Sequence, residues 1–356
     1  MTALVLKLGG DALATPERIA AAARRVALRR STRPVVAVAS ARRGVTDHLL
    51  GLVDQVREAG GQEGTPTRTA LTAADRAVTS GEVVAASLLA VALEGLGVPA
   101  VVLDAREAGI KSDGTPGEAA LVGIRTARLE RLIGRGTVPV VTGFQGWHRG
   151  RLTALGRGGS DVTAVTLAEA LGAEACELVK DPGAIHTADP RLVPEARPIA
   201  AASHRFVTRL AAAGARVIHH AAAARAERDQ IPLRFTSLRS DGEPATVVGV
   251  GEREEGYHSV VLASGYHGFA PMNGEPAEVA TVSFVAGATG SFVPEALVTA
   301  AARAGATVLR TASGPQGLSF LVPAAQGGAL LRALHAMLGA GSPTGDVEWR
   351  QYASSG

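Results

Sequence analysis

Through its first two-thirds the chain alternates short apolar runs rich in Val, Ala and Leu with longer Ala/Leu/Arg segments of helical period. This is the pattern of an α/β sandwich with a largely parallel sheet. The runs 3–7, 34–39, 100–103, 138–142, 175–179 and 233–236 read as strands, and helices fall between them. The clearest helix start is Thr15-Pro16-Glu17, a capping hydroxyl, a proline at the first helical position and an early acid. The helix it opens runs to about residue 30, and its Arg24, Arg25, Arg29 and Arg30 read as cations on a solvated face near a helix C-terminus rather than as a phosphate patch. Residues 60–67 form a polar loop, and a second break lies at 237–244, after which the texture changes. From residue 258 follow a lone strand, then strand 278–285, helix 294–304, strands 307–310 and 318–322, helix 325–338 and a last strand at 346–352. This is a small βαββαβ module. The reading is two domains, 1–240 and 241–356.

The length of 356 residues agrees with two domains. Only 3% of residues are aromatic and the formal charge is +3, which speaks against nucleic acid as a partner. The longest apolar stretch, 83–93, falls short of the roughly 17–25 residues that span a bilayer, and the opening MTALVLKLGGD has no basic leader or cleavage-type stretch. No membrane partner is expected, and the cytoplasm is the default location. The lone Cys176 excludes an intramolecular disulfide framework and a multi-cysteine metal site. His219 and His220 are adjacent and cannot chelate one ion from a helix, and neither a G-x-S-x-G elbow nor a P-loop occurs.

Lys7-Leu8-Gly9-Gly10 follows the first strand, where two glycines let the backbone approach an anion and the lysine supplies a point charge. Leu155-Gly156-Arg157-Gly158-Gly159-Ser160-Asp161 opens a helix, where free amides favour an anion. Arg157 offers a planar fork, Ser160 a hydroxyl and Asp161 a fixed negative group for magnesium or proton-transfer work. A third cluster, from Asp181 to Arg191, follows the strand ending near residue 179, at the strand ends where open α/β sheets bind ligands. Ser40–Asp47 and Thr79–Glu82, each taken singly, read as helix caps.

In order and spacing these segments resemble the aspartokinase branch of the amino-acid kinase family, over nearly the whole chain. The resemblance rests on Lys7–Gly10, Ser40–Asp47, Ser80–Glu82, Gly143-Phe144-Gln145-Gly146, Leu155–Asp161 with Thr163-Ala164, and Thr187–Arg191. The tail resembles the family's ACT module, shortened to about one copy. The resemblance implies transfer of the ATP γ-phosphoryl group to the side-chain carboxylate of L-aspartate, with ATP and Mg2+ required and a homodimer formed through the C-terminal module. It implies catalytic roles for Lys7 and Asp161, and phosphate contacts from Gly9, Gly10, Gly158 and Gly159. It also implies a substrate pocket of Ser40, Thr46, Glu82, Phe144, Arg157 and Ser160. Arg157 takes a substrate carboxylate and Glu82 the amino group. Lys180, Asp181, His186, Asp189, Arg191 and Arg216 are implied along the nucleotide, with no direct protein motif for the metal beyond Asp161. Two other readings stay open: a non-catalytic amino-acid-binding regulatory homologue, and a kinase for a different amino acid.

The chain departs from the family at several places. Asp11 replaces a hydroxyl residue beside the expected γ-phosphate, and compensation is expected from Arg42-Arg43 or from a metal ion. Lys180, Ala184, His186 and Arg216 replace the usual threonine, glycine, tyrosine and lysine, and His220 follows His219 where a proline is common. Gly287-Ala288-Thr289-Gly290 stands in place of the family's effector turn, so weak or absent inhibition by lysine or threonine is expected.

Overall fold

The alternation of apolar strands and amphipathic helices folds in a computed structural model that describes residues 2–61, 65–239, 245–249, 258–272, 274–287, 293–314 and 317–338. In chain order the elements are β1 (Leu4–Leu8), α1 (Pro16–Arg30), β2 (Val35–Ala39), α2 (Val45–Ala59), α3 (Arg68–Val78), α4 (Ser80–Glu94), β3 (Ala100–Leu103), β4 (Ile110–Ser112) and β5 (Leu121–Ile124). Next come α5 (Ala127–Gly134), β6 (Val138–Thr142), β7 (Gln145–His148), β8 (Arg151–Ala154), α6 (Gly159–Ala170), β9 (Ala175–Val179), β10 (Ile185–His186), β11 (Pro198–Ile199), β12 (Ala201–Ala202), α7 (His204–Ala212) and α8 (His220–Arg228). The chain continues with β13 (Leu233–Thr236), β14 (Thr246–Val248), β15 (His258–Ser264), β16 (Val279–Ala286), α9 (Pro294–Arg303), β17 (Arg310–Gly314), β18 (Gly317–Pro323) and α10 (Gly327–Ala336).

Two compact units result. Met1–Gly183 with Arg228–Ala245 form the first, and Ala184–Glu227 with Thr246–Gly356 form the second. In the first unit β13, β9, β1, β2, β6 and β3 lie side by side, all parallel. These six strands match the six read from the sequence within a residue. Leu4, Leu6 and Leu8 of β1 pack into one core with Ile19, Ala22 and Val26 of α1 and Ala85, Leu89 and Leu93 of α4. The alternate residues Val5 and Lys7 face the opposite layer, where α6 packs on β1, β2 and β9. Both faces of the sheet are covered, which is why its strands read as unbroken apolar runs.

α1 starts as expected: the Thr15 hydroxyl accepts from Arg18 N at 3.4 Å and Pro16 stands in the first turn. Arg25 and Arg29 correct the solvated-face reading, while Arg24 is exposed as expected. Arg25 is 5% exposed and donates to Thr236 Oγ1 (3.2 Å) and Ser237 O (2.6 Å), while Arg29 pairs with the fully buried Glu177 at 2.8 Å. The strand period puts Glu177 on the α1 face of β9, so the helix must bring cations to it. Arg30 caps the chain at Gly136 O.

A second sheet of the first unit, ordered β5-β4-β7-β8, carries no clear sequence signal, because its strands have three or four residues and mix glycine and polar side chains. The cap readings also fail. α2 starts at the left-handed Gly44 and α4 at Thr79, neither with a side-chain cap bond. The stretch Arg68–Glu94 is long and apolar enough to cross a membrane by composition, yet α4 supplies the core side chains named above.

In the second unit β15, β16, β18 and β17 form an antiparallel sheet in that order, with α9 and α10 packed on it around Phe284, Phe320, Leu297 and Leu330. The strand expected to stand alone at 258 is paired with β16 along its whole length. The strand expected at 307–310 begins only at Arg310. The expected strand 346–352, most of the break at 237–244 and most of the turn at 287–290 lie outside the described residues.

Candidate functional site

The carboxyl ends of β1 and β2, the start of α4, the β6–β7 turn and the start of α6 open onto one cavity of about 510 Å³ in the first unit. Lys7, Ser40, Thr46, Glu82, Phe144, Arg157, Gly158, Gly159, Ser160 and Asp161 line it. All six residues implied for the substrate pocket, and both implied catalytic residues, are thus brought together from five separate segments.

Lys7 Nζ and Asp161 Oδ1 are 2.6 Å apart, a charge pair between the end of β1 and the first turn of α6. Gly156 and Gly158 both have positive φ, 54° and 73°, which lets the chain turn sharply into α6. Gly159 leaves no room for a side chain, since a Cβ there would lie 2.8 Å from both Leu155 and Phe144. Gly10 is equally constrained: a Cβ would meet Ala41 O at 2.7 Å, and Gly10 O accepts from Arg43 N at 3.1 Å. The two strand-end loops therefore interlock, with Lys7 behind them.

Glu82 is 2% exposed; its Oε1 accepts from Ala41 N at 3.2 Å. Burial pushes its carboxyl up to about 7, against the opposing pull of the Ala41 amide. Three buried oxygens on this cavity lack a hydrogen-bond partner: Ser40 Oγ, Glu82 Oε2 and Asp75 Oδ2. Unsatisfied polar atoms converging on one cavity are what a polar ligand would complete. Asp75 carries no motif signal; its only trace in the sequence is its place seven residues before Glu82, on the same face of a helical stretch. Gln145, by contrast, is structural. It accepts from Thr142 Oγ1 (2.7 Å) and donates to Thr79 O (3.0 Å), tying β7 to the α3–α4 junction.

Asp11 is held below the usual carboxylate range by its hydrogen bond to Arg43. Of the two expected compensating arginines only Arg43 pairs with this carboxylate; Arg42 donates twice to Ala14 O, at 3.1 and 2.6 Å. Lys180 and Asp181 stand at the end of β9. Burial raises the Asp181 carboxyl, but the Ser237 hydroxyl and the Arg18 guanidinium outweigh it and leave it below the ordinary value. His186, Asp189, Arg191 and Arg216 belong to the second unit. There Asp189 closes a local turn by pairing with Arg191 at 2.6 Å, and His186 Nδ1 meets Ala184 O at 3.1 Å. Among the described residues no three His, Cys, Asp or Glu side chains gather to hold a metal ion.

A parallel α/β sheet with two glycine turns and a lysine–aspartate pair at its strand ends defines the class, and sequence comparison agrees: the chain belongs to the amino acid kinase family, whose profile matches residues 2–237. Among curated proteins it is similar to the aspartokinase of Mycobacterium tuberculosis, 38% identical over 252 residues, which are 70% of this chain and 58% of that protein. The aspartokinase of Thermus thermophilus is 36% identical over 250 residues, 70% of this chain and 59% of that one. The chain thus spans less than two thirds of the length of these relatives. Among solved structures, E. coli aspartokinase III in complex with aspartate and ADP superposes with a TM-score of 0.76 at 21% identity, covering 94% of this chain and 99% of that one. Aspartate kinase from Synechocystis superposes with a TM-score of 0.59 at 26% identity, covering 93% and 68%.

Proposed function

We propose that the protein is an ATP-dependent phosphotransferase that phosphorylates the side-chain carboxylate of L-aspartate to give 4-phospho-L-aspartate. The observation that carries the reading is the cavity in which the Lys7–Asp161 pair faces the buried carboxylate Glu82 and the guanidinium of Arg157. A zwitterionic amino acid needs one cation and one anion partner, and the cavity supplies both. The names of the curated relatives, and the aspartate and ADP in the E. coli complex, support the same choice of substrates.

The acceptor is already a carboxylate anion, so no general base is required. Its oxygen forms the new bond to the γ-phosphorus, the bond from that phosphorus to the β–γ bridging oxygen breaks, and the electron pair leaves with ADP. Positioning and charge neutralisation do the rest. The Lys7 ammonium lies against the transferring phosphoryl group, held there by Asp161, while the glycines of both turns, Gly9, Gly10, Gly158 and Gly159, let the backbone come close to phosphate oxygens. The Gly9 and Gly159 amides are given to Val179 O (3.2 Å) and Gly156 O (3.1 Å), so the amide donors are those of Gly10 and Gly158. Asp161 also suits Mg2+, a hard cation that takes one or two carboxylates together with substrate phosphates and neutralises phosphate charge when bound. Ser40, Thr46, Phe144 and Ser160 complete the acceptor pocket. Lys180, Asp181, His186, Asp189, Arg191 and Arg216 are assigned to the nucleotide. Residues 1–240 are read as the kinase domain and 241–356 as an ACT-like regulatory or dimerisation module of a cytoplasmic homodimer.

The test is incubation with ATP, Mg2+ and L-aspartate in hydroxylamine, which traps acyl phosphates as coloured hydroxamates. Aspartate-dependent colour is the expected result. Colour with another amino acid alone would change the acceptor, and silence with every amino acid would leave a non-catalytic binding protein.

A further inference from the structure

We propose that Asp75 is a second carboxylate ligand of the acceptor's ammonium group, and so a specificity residue of the pocket; the inference rests on reading the cavity as an amino-acid acceptor site. Asp75 is 4% exposed and lines that cavity from α3. Its Oδ1 accepts from Gly117 N at 2.9 Å, and burial raises the carboxyl against the downward pull of the nearby Ala154 backbone. Its Oδ2 has no partner. A staple between α3 and the 117 segment needs only Oδ1. The second oxygen carries a desolvation penalty that a ligand's donor would relieve.

The position of this oxygen selects the donor. Ala119 N, two residues after Gly117, donates to Ala154 O at 2.9 Å, Ala154 precedes Arg157 by three residues, and Glu118 Cα lies 3.6 Å from where a Cβ on Gly156 would stand. Asp75 is therefore anchored to the wall that carries Arg157. The ammonium and carboxylate of an α-amino acid share one carbon, so a carboxylate at the Arg157 end is where the ammonium must look for its partner. Glu82 stands about two helical turns further along the same stretch, and lines the same cavity. With Oε1 taken by Ala41, Glu82 has one oxygen to offer. An ammonium has three donors and can use both carboxylates.

The experiment is calorimetric titration of the full chain, without nucleotide, with L-aspartate and with succinate, which lacks the ammonium. The wild type should prefer L-aspartate by tenfold or more. Asp75→Asn keeps an acceptor for Gly117 but turns the free oxygen into a donor. It should weaken L-aspartate at least tenfold, change succinate less than threefold and melt within a few degrees of the wild type. Asp75→Ser gives the same readout if the asparagine variant unfolds below the assay temperature. L-aspartate affinity within threefold of the wild type would overturn the proposal, as would equal losses for both ligands or a wild type without preference. A wild type that discriminates between the two but forms no hydroxamate with ATP would defeat the kinase reading and leave this one standing.

Discussion

Replacing Arg43 by alanine should impair nucleotide use, and replacing Asp11 by threonine in the same chain should restore it. Arg43 and Asp11 form an ion pair whose side chains are 70% and 35% exposed. An ion pair this exposed adds little to folding, so neither change should unfold the protein. The effect on a bound polyphosphate is larger. Gly10 is locked against the 41–43 loop, which keeps the Asp11 carboxylate beside the proposed phosphate turn. Unpaired, a carboxylate about 4 Å from a phosphoryl oxygen costs between about 1 kcal/mol in water-like surroundings and about 4 kcal/mol at an effective dielectric of 20. That is roughly fivefold to thousandfold in ATP usage. The assay is the hydroxamate rate against ATP concentration, paired with calorimetric binding of ADP, for Arg43→Ala, Asp11→Thr and the double variant. Asp11→Thr alone should leave turnover equal or higher, since the repulsion is removed while Arg43 stays in place. The reasoning is refuted if the double variant is as poor as Arg43→Ala, because the loss would then come from the missing arginine and not from the exposed carboxylate.

Lys7→Ala should lower turnover by roughly hundreds-fold with the fold intact, and near-normal hydroxamate formation would remove Lys7 from the phosphoryl centre. Glu82 has a folded value near 7, above its ordinary value of 4.5, so the folded state holds its proton more tightly than the unfolded one. Its contribution is present below pH 4.5 and is lost as pH rises toward 7, by about 3 kcal/mol in all. Unfolding by urea at a series of pH values should show this fall, and Glu82→Gln should flatten it. Glu177→Ala should cost roughly 3–5 kcal/mol, because it strips the buried carboxylate from Arg25 and Arg29; a loss under 1 kcal/mol in denaturant titration would refute that accounting.

The six parallel strands and the start of α1 were legible because local physics decides them. Strands buried on both faces need uninterrupted Val, Ala and Leu, and a helix start needs an acceptor side chain and a fixed φ. Asp75 was not legible, whereas ten of the residues that line the cavity, from Lys7 to Asp161, were legible one by one in their sequence segments. Their convergence was not, because it depends on β1, β2, α4, the β6–β7 turn and α6 meeting across gaps of up to 60 residues or more. The short sheet β5-β4-β7-β8 escaped the pattern for a related reason, since three-residue strands such as Ile110–Ser112 have too few positions to show a period.

The charges divide in the same way. Sequence alone determined that Lys7, Arg157 and Asp161 are present in turns suited to anions, and that Asp11 sits where a carboxylate is unwelcome. Only the tertiary structure decided which partner each charge takes. It gave Arg25 and Arg29 to Glu177, Arg43 to Asp11, and Arg18 to Asp181. It also left one oxygen each of Asp75 and Glu82, two residues that line the cavity, buried without a hydrogen-bond partner. Charge type is a property of a residue, whereas pairing and desolvation depend on what the fold brings within a few ångströms, and that distance is not written in the order of the chain.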